Sequence, residues 1–207
     1  MSLFLFILIG NLPGSGHKHQ ADHVERHATR SGSVIQLHPS EVTFQIPEAW
    51  IGSGTSFHLT RRELHKARHD PWLNKVEDAA LDFSDCAVQV NIGSTVWLRA
   101  YVITQPENAI IKRIQEKAPQ ALRKTPNYVP VRRFQLEPAK EGPWQHIEMP
   151  FVLNFGDYNE DGDISFYVEP MSGRQLVIVV GYIGNHHPRV EDETLEVLKS
   201  VVIPAQP

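Results

Sequence analysis

The chain has 207 residues, with 20 Lys and Arg against 24 Asp and Glu, a formal net charge of -4. That length suits one large domain, or a domain with a tail. An acidic balance with no basic stripe excludes a general nucleic-acid binder. Hydrophobic residues make up 41% of the chain, enough for a sizeable core. Cys86 is the single cysteine, so no disulfide can form within these residues.

The chain opens on a purely apolar run, Leu3 to Ile9. It is shorter than the roughly 20 residues that span a bilayer. It resembles the apolar region of a signal peptide, although no Lys or Arg precedes it. Residues 1–10 are therefore read as an export or anchor segment with N-terminal membrane association. This puts the protein outside the cytoplasm (periplasmic, secreted or membrane-associated), with the cytoplasm as the alternative. Residues 11–33 read as a His-rich flexible linker, with Pro13-Gly14-Ser15-Gly16 near its start and Ser31-Gly32-Ser33 at its end. His23 and His27 would share a helix face and could share a metal. No Cys, Asp or Glu set completes that site, so a solvated tail is the reading.

Residues 34–207 form the globular domain. Val42-Thr43-Phe44-Gln45-Ile46 alternates and stops at Pro47, as a half-buried strand does. Trp50 follows in a turn as a large anchor side chain. Thr60-Arg61-Arg62-Glu63 is a capping box that starts a helix, and Asp70-Pro71 ends it near His69. A second helix runs from Pro71 to about Leu81. His65 and His69 lie four apart on the first helix but lack the Glu of a zinc-protease motif, and are read as exposed helix residues. Val88 to Thr104 reads as strand with a turn at Asn91–Ser94, and Cys86 sits in its apolar approach. Pro106 and Glu107 start an amphipathic helix that is expected to kink or end at Pro119. Residues 124–142 carry three prolines and read as loop, with one short strand around Val131 to Leu136.

Three consecutive strands follow: Trp144 to Phe155, Ile164 to Glu169 and Gln175 to Ile183. Their short links imply an antiparallel meander. Leu176-Val177-Ile178-Val179-Val180 is apolar on both faces, which predicts a central strand. A last helix runs from about Glu191 to Ser200, with Leu195, Leu198 and Val202 as its buried stripe. The fold class is thus α/β (α+β), a single domain with a largely antiparallel sheet flanked by helices.

This order of elements carries a resemblance. A strand ends in Ile46-Pro47-x-x-Trp50, helices and a sheet follow, and the chain closes on Glu193-x-Leu195-Glu196-Val197-Leu198-Lys199-Ser200-Val201. Over about residues 40–203 this pattern is similar to the Mog1/PsbP-like α/β/α sandwich superfamily. Its motifs are apolar spacings rather than a catalytic fingerprint, and residues 60–82 and 124–142 are long insertions on a minimal member. The resemblance implies a non-enzymatic binding or assembly module with a protein partner of unknown identity. It carries over no catalytic residue.

The candidate site is the acidic stretch Asp157-Tyr158-Asn159-Glu160-Asp161-Gly162-Asp163. Asp157, Asn159, Asp161 and Asp163 match calcium-loop positions 1, 3, 5 and 7, with Gly162 at 6 and Ile164 at 8. The twelfth position is Val168 rather than Glu, and the exit reads as a strand, so this is no ordinary EF-hand. Either the stretch binds calcium in a borrowed geometry, giving a calcium-stabilised exported domain, or it is a hairpin turn with Gly162 in left-handed geometry and no cofactor. An enzyme of unrecognised class is the third hypothesis. The chain lacks Gly-x-Ser-x-Gly, His-Glu-x-x-His, a phosphate loop and paired Cys ligands.

Overall fold

A computed structural model describes residues 23–59, 76, 79–81, 86–92, 95–129, 139–184 and 187–205. The apolar segment 1–10, the first half of the linker, the capping-box helix with His65 and His69, Trp72 and most of the second helix lie outside the described residues. Val76, Ala79 and Ala80 of the second helix are helical, as expected.

Two sheets form the described fold. The first is an antiparallel β1-β2-β3 sheet built from His23–Thr29, Gly32–His38 and Val42–Pro47. This corrects the linker: residues 23–33 are a β-hairpin, with His23 opposite His38 and Thr29 opposite Gly32. Its composition is polar because β1 shows solvent an exposed face from Glu25 to Thr29. The register pairs Ile35 and Leu37 of β2 with Phe44 and Val42 of β3, and all four are buried. Chain reversal at Gly32 needs a glycine. Its φ is +144°, and a Cβ there would lie 2.0 Å from the Ile46 carbonyl oxygen.

The second sheet has eight strands. Its order is β4 (Thr55–His58), β5 (Cys86–Ile92), β6 (Val96–Ile103), β11 (Arg174–Ile183), β10 (Asn159–Met171), β9 (Trp144–Asn154) and β7 (Tyr128–Val129). β8 (Ala139–Glu141) also pairs with β9. Every pairing is antiparallel. β11 is central, as its unbroken apolar run requires: Leu176, Ile178 and Val180 face one core, and Val177 and Val179 the other. The expected short strand at Val131 to Leu136 lies outside the described residues; strands appear instead at Tyr128–Val129 and Ala139–Glu141.

Among the described residues, two full helices pack on this sheet, each in a different core. Helix α1 (Glu107–Leu122) buries Ile110, Ile114, Ala118 and Leu122 against Ile147, Met149, Phe151, Ile164 and Phe166. It runs through Pro119, which is buried, to Leu122 rather than ending there. Helix α2 (His187–Lys199) buries Val190, Val197 and Leu198 in the other core. That core is shared with the β1–β3 sheet, so a second sheet lies where sequence predicted only helices. Val202 is 59% exposed and bridges to Thr43 instead of extending the helix stripe. The described fold is mixed α+β, dominated by antiparallel sheet.

Candidate functional site

The strand register gathers one polar cluster. Along β9 and β10, Ser165 lies opposite Glu148, and Tyr167 opposite His146; on the other side, Asp163 lies opposite Tyr182 of β11, and Ser165 opposite Val180. Side chains two apart share a face, so these residues point to the same side of the sheet. The alternate residues Ile147, Met149, Ile164 and Phe166 point to the α1 core. Glu191 and Thr194 of α2 close the cluster from above, around a cavity of about 50 Å³.

Asp163 lines this cavity and is only 3% exposed. Its Oδ2 accepts a 2.6 Å hydrogen bond from the Ser165 hydroxyl. Ser165 Oγ also lies 3.3 Å from His146 Nε2, within hydrogen-bond distance. The His146 ring stacks on Tyr167 at 4.3 Å between centroids. The other carboxylate oxygen, Asp163 Oδ1, is buried and has no hydrogen-bond partner.

Burial pushes the Asp163 carboxyl up to about 7. The Ser165 bond opposes that rise, the Glu148 charge adds to it, and the Ile164 and Met149 amides pull it down a little. Neither amide makes a hydrogen bond of ordinary geometry to Oδ1. Burial also raises the Tyr182 hydroxyl, helped by the charges of Asp163, Glu148, Glu191 and Asp161. The cavity therefore sits in a negative field.

The four candidate calcium ligands do not surround one point. Asp157 lies in the turn from Phe155 to Tyr158, which is closed by Phe155 N–H to Tyr158 O at 2.9 Å and by Asn154 Nδ2 to Asn159 Oδ1 at 2.9 Å. Asn159, Asp161 and Asp163 stand along β10, paired with Asn154, Val152 and Pro150. Four residues of extended strand span about 13 Å, whereas calcium holds its oxygens at about 2.3–2.6 Å. Among the described residues, no group of three or more His, Cys, Asp or Glu is placed to hold a metal ion.

The hairpin read in this stretch exists, but its turn lies earlier, at Phe155–Tyr158. The left-handed glycine is Gly156, at φ +91°, and Gly162 is extended within β10. Gly162 answers a packing demand: a Cβ there would meet the Phe151 ring at 2.4 Å and the Tyr182 carbonyl oxygen at 2.7 Å.

A second concavity, a groove of about 470 Å³, lies beside the cavity and shares Val190 with it. Its walls are the 3-10 turn Glu48–Trp50, the Gly52–Thr55 turn, the strand ends at Ile92 and Val96, and the first turns of α2. Trp50, the anchor side chain of the 3-10 turn, is 2% exposed. Its indole N–H donates to Glu193, which also receives Arg189 Nε at 2.8 Å. Among the described residues the exposed large aromatics are Phe155 and Tyr158, stacked at 5.4 Å on the β9–β10 turn.

No family model and no curated protein matches this chain. Among solved structures it is similar to the crystal structure of LpqN, described as involved in cell envelope biogenesis of Mycobacterium tuberculosis. The two share 10% sequence identity at a TM-score of 0.45, over 88% of this chain and 92% of that chain. No described helix is long and apolar enough to cross a membrane.

Proposed function

We propose that the chain is a non-enzymatic binding or assembly module for a protein partner, acting outside the cytoplasm, with the α/β/α sandwich plan of the Mog1/PsbP-like proteins it resembles. The observation that carries this reading is the groove of about 470 Å³ between the Trp50 turn and α2. Its volume falls within the range of ordinary ligand sites. Its walls are held by cross-links between distant parts of the chain: Trp50 to Glu193, and Arg189 Nη2 to the Ala49 carbonyl at 3.4 Å. A concave surface fixed in this way loses little freedom on binding. The export reading rests on the apolar run Leu3 to Ile9.

The experiment is site-specific photocrosslinking in the native cell. A photoreactive residue at Ser53, in the groove, is compared with one at Glu116, on the outer face of α1. The expected result is a discrete protein adduct from Ser53, none from Glu116, and loss of the Ser53 adduct in Gly54→Trp, which fills the groove. Equal labelling at both positions, or an adduct indifferent to Gly54→Trp, overturns the reading.

One observation favours an enzyme as the second reading: the buried Asp163 carboxyl titrates near neutrality beside Ser165 and His146, as a general acid or base would. The cavity of about 50 Å³ weighs against it, because a substrate of ordinary size does not fit.

A further inference from the structure

We propose that the cavity between α2 and the polar face of β9–β11 is a recognition subsite for a primary ammonium group, whose N–H donates to Asp163 Oδ1. Three independent observations converge on this chemistry.

The first is the unmade hydrogen bond. Asp163 lines the cavity, and of its two oxygens Oδ2 is satisfied by Ser165 while Oδ1 is buried and without a donor. An unpaired buried acceptor is costly, and a ligand that supplies a donor removes that cost. The second is charge. Glu148, Asp163 and Glu191 all line the cavity, and among the described residues His146 is its only lining residue able to carry a positive charge. The combined pull of those carboxylates on the Tyr182 hydroxyl reports a field that favours a cation. The third is size and wall. About 50 Å³ holds an ammonium head or a few waters, but no sugar or nucleotide. The Tyr167 and Tyr182 rings and the apolar Val180 and Val190 supply surface for an alkyl stem.

The same features exclude neighbouring chemistries. A guanidinium fork needs two acceptors side by side, and Asp163 offers one, because its Oδ2 is taken by Ser165. A quaternary ammonium has the charge but no N–H. A metal ion needs converging ligands, and none of the described acidic or His groups converges. The ammonium could belong to a free alkylamine or to a lysine side chain of a protein. This inference stands independently of the groove: it concerns a different cavity, and its test uses small molecules.

The test is a two-dimensional NMR titration of the full chain at pH 8, at constant ionic strength, with n-butylammonium chloride and then with tetramethylammonium chloride. The amides of Ile164, Ser165 and Thr194 should shift saturably with n-butylammonium. Tetramethylammonium should bind weaker by roughly tenfold or more, because it makes no hydrogen bond. Asp163→Asn, checked for its fold by the same spectrum, should lose n-butylammonium binding by a similar factor. A blocked Gly-Lys-Gly peptide that binds tighter than n-butylammonium assigns the subsite to a protein lysine, and one that binds weaker assigns it to a free amine. Three results overturn the proposal: no saturable shift with n-butylammonium, equal binding of the quaternary ion, or binding untouched by Asp163→Asn. The comparison of the two amines on the unaltered protein decides the matter if Asp163→Asn does not fold.

Discussion

Strands β9 and β10 present two opposite faces built from the same residues in alternation. On one face Ile147, Met149, Phe151, Ile164, Phe166 and Val168 are buried under α1. On the other, His146, Glu148, Asp163 and Ser165 meet the edge of α2 around a small cavity. The apolar face follows the usual rule that buried surface is apolar and close-packed. The polar face breaks it at one position, where a carboxylate is as buried as the core and half of it is unbonded. Buried polar groups of this kind are retained against a standing cost. The apolar face thus accounts for stability, and the departure from the rule is where function is to be sought.

The largest test of that contrast is truncation on the apolar face. Phe166→Ala, at a fully buried position, should cost about 3–5 kcal/mol in urea unfolding. Glu148→Ala, at an exposed position two residues from His146, should stay within about 0.5 kcal/mol. A large loss at Glu148 instead would mean that the polar face is structural.

Next in size is the pH dependence that Asp163 imposes. Its carboxyl lies near 3.8 when unfolded and is raised to about 7 in the native state. Between those values the folded protein holds a proton that the unfolded chain has released, so stability falls as pH rises through this window. Below pH 4 both states are protonated and the effect vanishes. Asp163→Asn should therefore match the unaltered protein at pH 3.5 and exceed it at pH 8, by at most about 4 kcal/mol. Chemical unfolding at several pH values reads this directly. A parallel pair of profiles would show that Asp163 is solvated and would remove the contrast between the two faces. An amine that docks on Oδ1 should restore part of the stability at pH 8.

A smaller effect is expected at the groove. Trp50→Phe deletes the indole N–H that reaches Glu193 while keeping most of the apolar bulk. A loss of about 1–2 kcal/mol is expected, from one charge-assisted hydrogen bond and a small cavity. Thermal unfolding measures it, and Glu193→Gln should reproduce part of the loss because the amide oxygen still accepts.

These expectations show which features sequence could reveal. The central position of β11 was legible because an apolar run on both parities has one explanation, cover on both faces. The strand read at Trp144 to Phe155 was equally plain and runs Trp144–Asn154. Gly162 was misread because the ring that forbids a side chain there comes from Phe151, across the strand pair. The β1–β2 hairpin was missed because its polar, His-rich residues lie on a solvated face, and only β2 carries the buried positions. Asp163 was picked out by residue type, as one of four loop oxygens, and its place in a buried polar cluster was not legible. Its burial comes from Tyr182 on one side and α2 above, contacts that no local pattern encodes.

The smallest expected effect concerns calcium, and it is informative because it is near zero. The sequence spacing of Asp157, Asn159, Asp161 and Asp163 suits a calcium loop, but spacing encodes ligation only if the backbone curls. Here the backbone of Asn159 to Asp163 is committed on both sides: to β9 along its whole length, and to β11 at Gly162 and Asp163. Gly184 N–H also donates to the Asp161 carbonyl at 2.7 Å. Curling the segment round an ion would break those bonds and lift Gly162 from beneath Phe151. Thermal melts in excess calcium and in chelator should therefore superimpose. If calcium raises the melting temperature and Asp161→Ala abolishes the rise, binding must open the start of β10. The polar face would then be a calcium-responsive edge, and the free Asp163 oxygen its nearest inner ligand.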